Sequence, residues 1–245
     1  DPIKIANAYG ADILRLWAAT IEYQSDVRIS EDIVKQVAEV YRKIRNTFKF
    51  LLGNLQDGET VLDVKTLEKV PLVEFIDVVM KARLDQVHKL AREAFDRFDY
   101  ANGMSAITNF ISVDLSSIYL DLTKDILYCE AANSPRRKAV QAVIYQTVDT
   151  LVRLLTPILP FTMEEVYQHI PGEHLESVQL LDLLSVPSSM DETVLQGYTK
   201  FMVIRNEVLK ALEVARAAGV IGSAQEAFVN LSLEDEVLFE RFEKM

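Results

Sequence analysis

The chain has 245 residues, 49% of them apolar, with 8 glycines and 7 prolines. That composition excludes a disordered or low-complexity polypeptide and leaves room for a sizeable core. Its 37 acidic residues against 26 basic ones give a formal net charge of −11, which excludes broad, unspecific nucleic-acid binding but not a focused basic patch.

The single cysteine, Cys129, excludes an internal disulfide framework and a cysteine-rich zinc site. No apolar run has the length of a membrane span and no signal peptide pattern opens the chain, so a cytoplasmic setting is expected. Opening on Asp-Pro and stopping at Met245 in a charged stretch, the sequence reads as a piece of something longer.

Residues 1–20 read as one or two short helices, with Asp1 as a cap and Pro2 in a first turn where its missing N–H costs nothing. Gly10 interrupts the pattern, and 11–17 resume it with Ile13, Leu14 and Trp17 on one side. A connector follows over 22–30, in which Arg28 is placed to pair with Asp26 or to reach a ligand lying along the next helix.

That helix, 30–56, is the expected organising element. Ile33, Val37, Val40 or Tyr41, Ile44, Phe48, Leu51 or Leu52, and Leu55 recur at the three-four spacing of an amphipathic helix. Ser30 is its expected N-cap, Glu31 and Asp32 suit the positive end of its dipole, and Asp57-Gly58 is its expected end. Lys35, Arg42, Asn46, Lys49 and Gly53 fall opposite the apolar stripe, with Arg45 on the flank. From 40 to 56 there are four basic residues and no acidic one, a local reversal of the chain's sign. Such a face is either a solvated helix surface or a rail for phosphates, where an asparagine is free to read a base edge.

After a polar excursion to Val70, Pro71 is expected to open a second long helix reaching about Arg97, with Leu72, Phe75, Val79, Leu84, Val87, Leu90 and Ala91 inside. The segment 99–103 turns the chain into a third helical stretch through Met104, Phe110, Leu115 and Leu122, bent near Val113-Asp114. Ser134-Pro135 marks the start of a further helix with Val140, Ile144, Val148, Leu151 and Leu155 on its core side. Its first turn carries Arg136, Arg137 and Lys138 against the dipole, which favours a phosphate partner there.

Thr162 and Glu165 form an expected capping box for a short helix to His169. A last long helix spans about 191–218, and 227–233 alternate in the manner of a strand. Between Pro157 and Thr199 there are seven carboxylates and no Lys or Arg, so acidic and basic regions are segregated along the chain. This order of elements predicts an all-α fold, an antiparallel helical bundle with a small C-terminal strand-containing appendage.

The chemistry of a self-contained active site is missing. His88, His169 and His174 have no His or Cys partner at metal-ligand spacing, no serine or threonine has a base to activate it, and no glycine-rich phosphate loop occurs. Three readings remain: a nucleic-acid-binding module, a helical protein-interaction scaffold and, least supported, a free-standing enzyme.

Several stretches then point to a family. Residues 1–17, with TyrGlyAlaAspIleLeuArgLeuTrp at 9–17, and AspValArgIleSer at 26–30 resemble the segment downstream of the KMSKS loop in class I aminoacyl-tRNA synthetases. TyrArgLysIleArgAsnThrPheLysPheLeuLeuGlyAsnLeu (41–55), AspLeuSerSerIleTyrLeuAsp (114–121), LysAspIleLeuTyr (124–128), SerProArgArgLys (134–138) and LeuThrProIleLeuProPheThrMetGluGlu (155–165) resemble the bacterial isoleucyl members in particular. Departures are Ile126 where the family usually has Arg, Tyr167 where it usually has Trp, and Ser223-Ala224-Gln225 in place of a Lys-Ser-Leu-like stretch.

The resemblance implies an anticodon-binding bundle over 30–190, preceded by a linking segment (1–29) that follows a catalytic domain. A long helix and a truncated junction over 191–245 complete it. It implies tRNA(Ile) as partner, no membrane, and a monomer. It also implies no cofactor in this segment; ATP, Mg and Zn belong to other regions of a parent ligase, as does its catalytic site. The residues it places on tRNA are Arg42, Arg45, Asn46 and Lys49, with Arg28 from the connector and Arg136 and Arg137 as backbone contacts.

Overall fold

In the computed structural model the helices begin where the sequence offers a cap. Asp1 Oδ1 accepts from the Ile3 N–H at 3.0 Å ahead of α1 (Pro2–Tyr9), and α2 (Ala11–Thr20) follows after Gly10. Ser30 Oγ accepts from the Ile33 N–H at 3.3 Å ahead of α3 (Glu31–Gly53). The structure describes residues 1–24, 26, 27, 29–57, 60, 61, 64–72 and 74–232. They form two units, Asp1–Met190 and Asp191–Met245.

In the first unit α3 ends earlier than Asp57-Gly58. The Asn54 side chain folds back to donate to the Phe50 carbonyl at 2.8 Å, while the Asn54 carbonyl accepts from the Gln141 side chain at 3.0 Å. A two-residue antiparallel pairing of β1 (Gln56–Asp57) with β2 (Thr60–Val61) follows. The polar excursion then holds a one-turn helix, α4 (Val64–Leu67), whose Leu67 is buried. The second long helix, α5 (Phe75–Asp96), starts four residues after Pro71, and Leu90 is exposed, not inside.

Asp99 caps α6 (Tyr100–Asn109) by accepting from the Asn102 N–H at 3.3 Å. Gly103 lies within that helix and not in a turn, and its missing side chain lets α6 sit close to α5, since a Cβ there would strike the Phe95 ring. The bend expected near Val113-Asp114 is a π-helical stretch, Phe110–Tyr119, continuous with α6 and with α7 (Leu120–Cys129). The hydroxyls of Ser116 and Ser117 donate five residues back, to Ile111 and Ser112, at 2.6 and 2.7 Å, matching its wider turn.

Ser134 and Pro135 open α8 (Pro135–Leu155), which is the hub of the unit in place of α3. Thirteen of its 21 residues are buried, on all sides, because α3, α4, α5, α7 and α9 (Pro160–Tyr167) pack around it. A helix covered this way shows little amphipathic periodicity, which is why α3, with one bare face, has the stronger sequence pattern.

Polar groups fix the joints between helices. Tyr119 donates to Asp77 Oδ1 at 2.8 Å, and Arg136 forms an ion pair with Asp77 Oδ2, tying the π-helical stretch, α5 and α8 together. Asp77 is fully buried, and burial pushes its carboxyl above the usual range, an effect that Tyr119 and Arg136 offset only in part. Arg83 of α5 reaches the buried Asp114 at 2.8 Å.

On α2, Asp12 Oδ2 accepts from the Thr162 N–H at 2.7 Å and the Thr162 hydroxyl at 2.5 Å, and Arg15 donates to the carbonyls of Pro157 and Ile158 at 2.6 and 3.0 Å. This overturns Thr162 as an N-cap. Helix α9 begins at Pro160, and the Thr162 N–H in its first turn is satisfied by a carboxylate 150 residues away.

His88 of α5 is buried, and burial pushes its imidazole below the ordinary range despite a hydrogen bond to the Leu184 backbone and the nearby Asp85. A neutral folded imidazole means that the unfolded chain binds more protons below about pH 6.5. Stability is therefore expected to fall as pH drops through that value, and His88→Gln should flatten the urea midpoint measured between about pH 7.5 and 5.5.

The second unit holds α10 (Glu192–Ala217), capped by Asp191, whose carboxylate accepts from the Val194 N–H at 3.1 Å. Tyr198 and Phe201 stack on it with centroids 6.3 Å apart. A single 3₁₀ turn, Ala224–Glu226, follows. The strand expected over 227–233 is not formed in its described part, 227–232, and Leu233 lies outside the described residues. An alternating segment becomes a strand only with a partner to complete its hydrogen bonds, and none is present among the described residues.

Candidate nucleic-acid interface

Helix α3 buries Val34, Ile44, Phe48 and Leu51, and this fixes which way the rest of it points. Arg42, Arg45, Asn46 and Lys49 are all exposed and share one side of the helix, so the structure brings together four of the predicted residues as a ridge. Among the described residues Asn46 and Lys49 have no hydrogen-bond or ion-pair partner. Arg42 pairs with Glu39 at 2.8 Å and Arg45 with Glu165 of α9 at 3.4 Å, all four side chains being more than half exposed. Pairs so open to water hold weakly and leave the guanidinium groups available to a phosphate.

The ridge is flanked by two grooves. One, of about 300 Å³, lies between α3 and α9 and is lined by Arg45, Lys49, Gln56, Glu165 and His169. The other, of about 350 Å³, lies between α3 and the π-helical stretch with α7, and is lined by Asn46, Phe50, Ser116, Asp121, Lys124 and Tyr128. Lys124 accompanies Asp121 at 2.8 Å, a hydrogen bond that raises its ammonium pKa. Tyr128, 66% exposed, meets Phe50 edge to face.

The remaining predicted residues are placed differently. Arg136 is committed to the buried Asp77, and Arg137 donates to the Leu127 carbonyl at 3.1 Å, closing the α7–α8 turn. Their unfavourable position in the first turn of α8 is thus offset inside the fold, with no need of a ligand. Arg28 lies outside the described residues.

Sequence reading did not nominate Lys124, Tyr128, Glu165 or His169 for this surface. Tyr128 carried the one available signal, an aromatic at a solvent-facing phase of its helix. Two of the three departures from the family pattern are off the ridge: Ile126 packs partly buried against the core, while Tyr167 is buried, accepts from the Leu175 N–H at 2.9 Å and meets the His174 ring edge to face.

Glu165 has a consequence for the ridge. It places a carboxylate beside Arg45 and Lys49, where it would repel a polyanion. Glu165→Gln is expected to strengthen binding of a nucleic-acid probe about two- to fivefold at low salt, as read by filter binding.

Among the described residues no group of three or more His, Cys, Asp or Glu could hold a metal ion, and no helix is long and apolar enough to cross a membrane.

A model of the anticodon-binding domain of tRNA ligases matches residues 77–231, more than half of the chain, and the chain belongs to that family. Within it the chain is similar to isoleucine–tRNA ligases. It is 50% identical over 231 residues to that of Bacillus cytotoxicus, a match covering 94% of this chain and 25% of the relative. It is 49% identical over 234 residues to that of Bacillus cereus strain G9842, again 94% and 25%. The chain thus spans about a quarter of the length of these relatives.

The family match starts inside α5, so α3 is covered through the relatives and not by the domain model. A solved structure with the same fold is the Agrobacterium radiobacter K84 agnB2 LeuRS in a ternary complex with tRNA and LeuAMS. Its TM-score is 0.54 at 16% identity, over 79% of this chain and 21% of that one.

Proposed function

We propose that this chain holds the anticodon stem and loop of an isoleucine tRNA along α3. In this reading it positions that tRNA for aminoacylation by an ATP-dependent catalytic domain elsewhere in a longer isoleucine–tRNA ligase. The observation that carries the reading is the ridge itself: Arg42, Arg45, Asn46 and Lys49 stand exposed on a rigid helix of a chain whose net charge is −11. Arginine and lysine there meet phosphates and fix the register of the stem, while the free Asn46 carboxamide is available to the edge of an unpaired loop base. Kinship with isoleucine–tRNA ligases supports an isoleucine tRNA as the one bound.

A filter-binding titration against an isoleucine tRNA and an unrelated tRNA tests the reading. Binding is expected to be weak, salt-sensitive and stronger for the isoleucine tRNA, and Asn46→Ala should cost more with that tRNA than with the other. Absence of binding at low salt would overturn the proposal.

A further inference from the structure

Helix α9 has a second flank. Glu165, Val166 and His169 turn to the groove shared with α3, whereas Tyr167 turns to a cavity of about 810 Å³ between α4, the second half of α8 and the 170–175 loop. The walls of that cavity are built in advance. Tyr167 accepts from the Leu175 N–H at 2.9 Å, and His174 donates through Nε2 to the Ile170 carbonyl at 2.5 Å. Gly172, at φ +117°, lets the loop close on α4, because a Cβ there would lie 2.9 Å from Val64 Cγ2. Tyr145, Asp149 and Arg153, at four-residue spacing on α8, line the cavity from one ridge of that helix.

The charged groups around this space differ in what is left for a ligand. Arg153 is committed to Asp149 at 2.9 Å and to the Asp182 carbonyl at 2.5 Å, and Lys65 is engaged as well. The exposed Glu68 and Glu173 carboxylates have no hydrogen-bond or ion-pair partner among the described residues, and neither has the Tyr145 hydroxyl. Burial, with the negative charges of Asp149 and Glu68, pushes the Tyr145 phenol up to about 12 against the pull of Arg153. An anion in the cavity would meet three carboxylates with the guanidinium already used, and a neutral ligand would desolvate Glu68 and Glu173 without pairing them. A cation pairs them, and the tyrosine rings add to its attraction.

We infer that this cavity binds a small organic cation, an amine or guanidine on an apolar body, with its charge at Glu68, Glu173 and the Tyr145 hydroxyl and its body against Ile170, Leu181 and the Tyr167 ring. The volume suits such a ligand, and apolar walls with a few polar groups to orient it are the usual make-up of a small-molecule site. The site is separate from the ridge on α3 and needs no RNA.

The experiment titrates the 245-residue chain with phenethylamine, phenylacetate and ethylamine, and follows the backbone amides by NMR. Phenethylamine is expected to bind with a Kd of about 0.1–1 mM and to shift amides within 64–68, 145–153 and 167–175. Phenylacetate, with the same body and the opposite charge, and ethylamine, with the charge and almost no body, should each bind about tenfold more weakly or worse. Glu68→Gln combined with Glu173→Gln should weaken phenethylamine about tenfold and remove most of the salt dependence of its binding. Both carboxylates are exposed and unpaired, so that variant is expected to melt as the parent does. Tyr145→Phe, which keeps the ring and loses the hydroxyl, should cost about threefold.

No binding of phenethylamine, shifts confined to other parts of the chain, phenylacetate binding as tightly, or a double variant that binds as the parent does would each overturn the site. Since no probe is a nucleic acid, failure here leaves the tRNA reading standing, and a chain that binds the amine but no tRNA would lose only that reading.

Discussion

Arg42→Ala, Arg45→Ala and Lys49→Ala combined are expected to weaken binding of an isoleucine tRNA about a hundredfold near 0.1 M salt and to lower the salt slope by about three. Each removes one positive charge from the ridge, and each charge that neutralises a phosphate releases counterions, so affinity and salt slope must fall together. Folding should be spared. The Arg42 and Arg45 side chains are 64% and 55% exposed, and their pairs with Glu39 and Glu165 are surface pairs whose loss costs at most about 1 kcal/mol. Filter binding across a salt series, with a urea titration beside it, reads both quantities. A variant that binds as tightly as the parent, with the same slope, would remove α3 from the interface.

Arg136→Ala should do the opposite, leaving RNA binding largely intact and destabilising the first unit by about 3 kcal/mol. Its partner Asp77 is fully buried, and without the guanidinium that carboxylate keeps only the Tyr119 hydroxyl at 2.8 Å. Tyr119→Phe removes the lesser partner and is expected to cost about 1–2 kcal/mol.

The pH dependence has a definite sign. Removing Arg136 raises the folded pKa of Asp77 further, so the folded variant binds more protons than the unfolded chain, and its deficit shrinks as pH falls from neutral toward the carboxylate range. A urea midpoint that lies below the parent's at pH 7 and closer to the parent's near pH 5 would show this. If Arg136→Ala instead kept the parent's stability and lost tRNA affinity, the internal placement of Arg136 would be refuted.

These two arginines mark how far the sequence could be read. Arg42 and Arg136 look alike in one dimension, each a basic residue on a helix close to another Arg. Arg42 stayed on the surface because α3 turns its Ile44, Phe48 and Leu51 stripe inward, a pattern contained within the helix itself. Arg136 went inward because Asp77, 59 residues earlier in the chain, is buried at the point where α5 meets α8. No local pattern announces that meeting. Glu165 shows the same effect with the sign reversed. It belongs to an acidic stretch distant in sequence from the basic helix, yet α9 packs against α3 and sets it beside Arg45 across 120 residues.

By itself the sequence determined most of the long helices, the capped starts at Asp1 and Ser30, the helix start at Ser134-Pro135, and the basic face of α3. Caps and amphipathic stripes are built from residues three or four apart, so their energies are local and legible. Only the tertiary structure decided that α8 and not α3 is the hub, that Thr162 answers to Asp12, and that Phe50 and Tyr128 frame a groove beside the ridge. Those outcomes depend on which helix faces which. Packing of whole surfaces settles that, through contacts between residues tens to more than a hundred positions apart.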